Sequence, residues 1–235
     1  MLNRFVFLLL TLGLVSACSN TPVHKSSQKS SNKGMKLAAK NIYVDPKMSD
    51  QQCQRFLKVV NQSKTEISRF FGGMKSAPTI YACTTKSCFR KFGGVPAKAK
   101  AIGDNTVILS SKGLNKVTLT HELAHVELHK RLGSAKVWNK VPMWFDEGLA
   151  VLACDDPKYN KSVKMMPLHN LVSQGQWINA VHDQVPAYSI ARQAVKKWYN
   201  NVGKQGLQSM IDRMQKGESF SLTPALNSEL QISRL

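Results

Sequence analysis

His121-Glu122-Leu123-Ala124-His125 constrains this chain more than any other stretch of its sequence. The surrounding residues predict a helix over 115–132, ending in Lys130, Arg131 and then Gly133, a strong helix stop. On such a helix His121 and His125 lie one turn apart on one face, so both imidazoles can reach one cation. Leu119, Leu123, Val126, Leu128 and Leu132 make most of this helix apolar. Two histidines inside an apolar helix are costly without partners, and a bound metal ion supplies one. Glu122 stands beside the pair, as the general base of a zinc-dependent hydrolase does.

A second segment, Trp144-Phe145-Asp146-Glu147-Gly148-Leu149-Ala150, follows Pro142 on a helix predicted over 143–153. Its Glu147 offers the carboxylate that would complete a His2Glu set with one Zn2+ per chain and an open fourth position. A metal held there lowers the pKa of a coordinated water toward about 7, and Glu122 is placed to accept its proton.

The pair of motifs resembles the gluzincin metallopeptidases of the thermolysin-like, peptidase MA-like group, many of which carry HExxH followed by Trp-x-x-Glu-Gly-hydrophobic-Ala. The resemblance implies a zincin-like α+β domain, a peptide or protein substrate, zinc on His121, His125 and Glu147, and Glu122 as general base. Its weaker part runs on through Tyr188, Gly203–Leu207, Ile211 and Gly217-Glu218-Ser219-Phe220, so that it spans about residues 106–226. By its place in that tail Tyr188 is the implied oxyanion stabiliser, with Tyr159 and His182 as rivals.

Three departures qualify the match. Enzymes of the thermolysin type place an aspartate one turn after the third ligand to orient the first histidine, and here that position is Val151. Asp146 and the Asp155-Asp156 pair are the candidate substitutes. The Gly-x-Met-Glu-Asn signature of the aminopeptidase branch is missing, which points to an endopeptidase or another specificity. His129 comes four residues after His125, too early for a metzincin ligand, and reads as a packing or outer-shell residue.

Arg4 precedes an apolar run from Phe5 to Val15, too short for a comfortable transmembrane helix and typical of a secretory signal. It closes on Leu14-Val15-Ser16-Ala17-Cys18, which looks like a bacterial lipobox. The expectation is a signal peptide over 1–17, lipidation at Cys18 and, with Ser19 next, anchorage in the outer membrane facing the periplasm. Residues 18–40 read as a flexible basic tether and 41–235 as one domain.

Four further cysteines, Cys53, Cys83, Cys88 and Cys154, suggest two disulfides in an exported protein. Of three connectivities, Cys83–Cys88 with Cys53–Cys154 is preferred, because the first closes a short loop.

The chain carries 33 Lys+Arg against 14 Asp+Glu, a formal charge of +19. Such a field favours anionic partners, above all an anionic envelope surface. Nucleic acid is disfavoured, since no zinc-finger, RRM or KH signature is present. Two competing functions remain: a zinc-bound lipoprotein that acts in assembly or scaffolding without catalysis, and a polyanion-binding protein.

Overall fold

The computed structural model describes residues 34–95, 97–160 and 184–222. The signal segment, Cys18, the tether up to residue 33 and His182 lie outside them. Within them the protein is α+β, with a five-stranded sheet and six helices.

The sheet comprises β1 (Lys36–Ala39), β2 (Ile42–Val44), β3 (Thr79–Ala82), β4 (Ala99–Ile102) and β5 (Thr106–Leu109) in the order β1-β2-β3-β5-β4. The central strands β2, β3 and β5 run parallel, and the two edges are antiparallel to their neighbours. Strand β1 falls inside the segment read as tether, so the ordered domain begins before residue 41. Its signal is weak because Leu37 is its only large apolar residue, followed by two alanines and a tight turn at Asn41, whose φ is 62°.

The small and basic composition of residues 92–101 predicts a loop, and the structure places β4 there instead. Alanine has little strand preference. Ala99 and Ala101 form a strand here through pairing with Leu109 and Val107 of β5.

Side chains alternate across the sheet. Ile80, Ala82, Val107 and Leu109 turn to the main core under the helices. On the other face Cys83, Phe89 and Ile108 form a small second cluster with Tyr81 and Phe92. The short helix α2 (Lys86–Lys91) covers it, tied to β3 by the Cys83–Cys88 disulfide.

Helix α1 (Asp50–Phe71) opens with a capping box between Ser49 and Gln52. It buries Cys53, Phe56, Val60, Ser63, Ile67 and Phe71, a stripe of three- and four-residue steps. Helix α3 (Lys116–Leu132) carries the HExxH motif, and the Asn115 side chain caps it by accepting from Thr118 N–H. Its neighbours are α1, the sheet strands β4 and β5, and α5 (Met143–Cys154); α4 (Ser134–Lys140) follows its C-terminus.

Helix α3 is held in place by a buried ion pair. Arg131 Nε donates to Glu127 Oε1 at 2.7 Å, and neither side chain reaches water. Glu127 also accepts from the backbone N–H groups of Lys75 and Ser76 at 2.9 Å. Arg131 donates to Gly73 O at 2.7 Å and Gln208 Oε1 at 2.8 Å. Every charge-bearing atom of the pair is satisfied, which is the condition for tolerating it in a core. The motif helix is thereby clamped to the α1–β3 connection and to the C-terminal helix.

That helix, α6 (Gln184–Gln215), is broken at Gly203, where φ is 60° and ψ is −162°. The sequence pattern predicts two helices here, over 189–201 and 204–215, and the break falls near the gap between them. Among the described residues no helix is long and apolar enough to cross a membrane.

Candidate metal centre

Helices α3 and α5 cross so that His121 and His125 face Glu147. Trp144 and Phe145 anchor α5 in the core: Phe145 packs edge-on against Trp198 and Phe220. Gly148 lets the helices close up. A Cβ there would sit 2.6 Å from Ala191 O of α6, so only glycine allows this approach directly behind Glu147. The Trp-x-x-Glu-Gly spacing is therefore a packing requirement as well as a chemical one.

His121 Nε2 and His125 Nε2 lie 3.1 Å apart. Glu147 Oε2 lies 3.3 Å from the first and 3.5 Å from the second. Tetrahedral zinc with bonds of about 2.0–2.2 Å places its ligands about 3.3–3.5 Å apart, the edge length of such a tetrahedron. Glu147 Oε2 is buried and has no hydrogen-bond partner, which is costly for a carboxylate oxygen unless a cation reaches it. The three atoms could hold one metal ion.

The outer ring atoms support this arrangement. His125 Nδ1 lies 2.8 Å from Asp146 Oδ1. A carboxylate can only accept, so Nδ1 carries the proton and the Nε2 lone pair faces the cluster. Asp146 therefore orients the second histidine, not the first.

The other aspartates are engaged elsewhere as well. Asp155 pairs with Arg192 at 2.8 Å, and Asp156 caps the turn Pro157–Tyr159. Beside His121 lies the Cys154 thiol, which favours the charged imidazole. It lies two turns beyond Glu147 on α5 and also donates weakly to Val151 O at 3.5 Å.

This position corrects the expected Cys53–Cys154 disulfide. Cys154 is a free, buried thiol at the site, and Cys53 is disulfide-bonded without it. An outer partner of a ligating histidine typically contributes 10- to 100-fold to metal affinity. Cys154→Ala should weaken zinc binding by about tenfold or more, and Cys154→Ser should recover part of the loss. Competition with a chromophoric chelator measures both, and an alanine variant with unchanged affinity removes the thiol from the account.

The titration behaviour follows from the geometry. Burial disfavours charge on His121, but the Cys154 thiol and the Glu147 carboxylate beside it outweigh burial and hold its pKa up to about 10. Burial also opposes charge on His125, and Asp146 and Glu147 raise it well above the usual histidine value. Glu147 is held far below the ordinary carboxylate range, burial notwithstanding, by the two imidazoles. The pocket thus favours positive charge at its centre, which either a proton or a metal ion supplies.

Glu122 lies beside the triad and accepts the Ala101 N–H of β4 at 2.7 Å. No sequence signal marks that bond, because its donor is a backbone amide on an unrecognised strand. Tyr188 hydrogen-bonds Glu147 and stacks on Tyr159, with ring centroids 5.2 Å apart. Burial first, then the negative charge of Glu147, push the Tyr188 phenol far above its usual pKa, so it stays protonated and able to donate. His129 stands apart from the triad. It is buried, packs edge-on against Trp138 at 5.4 Å, and burial lowers its pKa.

His121, Glu122, Tyr159 and Tyr188 line one cleft of about 740 Å³. It opens between α2, the chain entering β4, the start of α3 and the turn after α5. The chain gives no match to a family model, to a curated protein or to a solved structure.

Proposed function

We propose that this protein is a zinc metallopeptidase of the gluzincin type with a zincin-like domain, exported and tethered by lipidated Cys18 to the envelope membrane, facing the periplasm. The observation that carries the reading is the convergence of His121 Nε2, His125 Nε2 and Glu147 Oε2 at separations of 3.1–3.5 Å with Glu122 alongside.

When bound, zinc supplies Lewis-acid polarisation of a carbonyl and makes a nucleophile available from water near neutral pH. The chain supplies the rest. Asp146 and Cys154 fix the orientation of the two imidazoles. Ala101 N–H aims the Glu122 carboxylate, which takes a proton from the attacking water and returns it to the leaving amine. Tyr188, protonated throughout the working pH range, donates to the oxygen on which negative charge develops. The stacked Tyr159 limits the motion of that phenol.

The deciding experiment joins metal analysis of the purified protein to cleavage of an unbiased peptide library. The expected result is one zinc per chain, with cleavage that a chelator abolishes and added zinc restores. Zinc without cleavage would support a non-catalytic envelope lipoprotein instead, and protein without zinc would end both readings.

A further inference from the structure

The walls of the cleft are cationic. Lys86 and Arg90 come from α2, Lys98 precedes β4, Lys112 lies in the turn before α3, and Lys158 lies in the turn after α5. Apart from Glu122, Asp156 is the only carboxylate among the lining residues, and it is occupied in capping the turn at Lys158.

The ratio of cations to carboxylates there, five to two, is close to that of the chain as a whole, 33 to 14. What distinguishes the cleft is the placement of carboxylates. Asp50, Glu66, Asp104, Glu127 and Asp155 each pair with a cation outside it. Among the described residues, none of the five cleft cations has a carboxylate within ion-pair distance. Lys158 lies over the Tyr159 ring at 5.0 Å, which brings one of these charges beside the Tyr159–Tyr188 stack.

Unneutralised charge of one sign around a concave site focuses the field and concentrates ligands of the opposite sign. A space of about 740 Å³ is of ligand-pocket size and takes a few residues of extended chain, not a nucleic-acid duplex.

We infer that the cleft selects peptide segments bearing Asp or Glu close to the scissile bond. This rests on the hydrolase reading and specifies its substrate class. The carboxylates of the substrate take the place of the ion-pair partners that the cleft lacks, while the bond to be cut lies over the His121–Glu122 end.

The test uses two labelled peptides with one uncharged core, flanked by glutamates in one and by lysines in the other. Zinc-loaded, full-length protein carrying Glu122→Gln reports binding by fluorescence anisotropy, and the unsubstituted protein reports cleavage. The glutamate peptide should bind at least about tenfold more tightly at low salt, and the preference should shrink as salt screens it. Lys98→Glu with Lys112→Glu should abolish or reverse the preference, with the fold checked by circular dichroism. Equal binding of the two peptides, or tighter binding of the lysine peptide, overturns the inference, as does a preference that persists unchanged in the double variant. Charge-selective binding without cleavage by the unsubstituted protein upholds the inference and overturns the hydrolase reading. Cleavage without charge preference does the reverse.

Discussion

Glu122→Gln should leave one zinc per chain and slow peptide hydrolysis by about 10²–10⁴-fold, the range expected when a positioned general base is removed. The side chain is not among the three converging donor atoms, so metal affinity should hold. An amide keeps an oxygen to accept the Ala101 N–H, so β4 and α3 stay together. What the substitution takes away is the ability to accept a proton. Metal content and kcat are read on the same sample. Full activity with metal retained would remove Glu122 from the chemistry. Loss of both would mean that the residue acts on the structure of the site.

His125→Ala should lower zinc content to less than about a tenth of that of the unsubstituted protein, with hydrolysis falling in step. The prediction rests on the loss of one of three protein ligands together with the hydrogen bond that orients it. It also leaves Asp146 without its partner in a largely buried setting, which costs about 1–3 kcal/mol of stability. Zinc content and the thermal midpoint therefore have to be measured together. A folded variant that keeps stoichiometric zinc would show that the ion sits elsewhere. Asp146→Asn is the gentler companion. It keeps the imidazole and loses only the charge behind it, so a 10- to 100-fold weakening of metal affinity is expected rather than outright loss.

Much of the site was legible in the sequence because its signals are local. The one-turn spacing of His121 and His125, the Asn115 cap and the Gly133 stop all lie within one helix. The features that were missed depend on tertiary contact. Ala99 and Ala101 have no strand preference of their own and become β4 only against β5. The aspartates near Val151 are the sequence's candidates for the partner of His121, whereas the group beside it is a thiol two turns past Glu147. Cysteine counting places that thiol in a disulfide because it cannot weigh where a sulfur points. Asp146 serves His125 and not His121, a distinction that only the crossing of α3 and α5 makes.

The contact at Gly148 has a consequence for the evolution of the C-terminal half. With α6 seated on the backbone behind Glu147, the last described helix is a wall of the candidate metal centre, not an appendage. Bulk added at either surface of that contact must displace Glu147, so the two helices can change only together. Trimming the chain ahead of α6 would uncover Phe145 and Leu149 and leave Glu147 without its backing. The smallest folded unit around the triad therefore extends past both motifs, into a helix that contributes none of the three donor atoms.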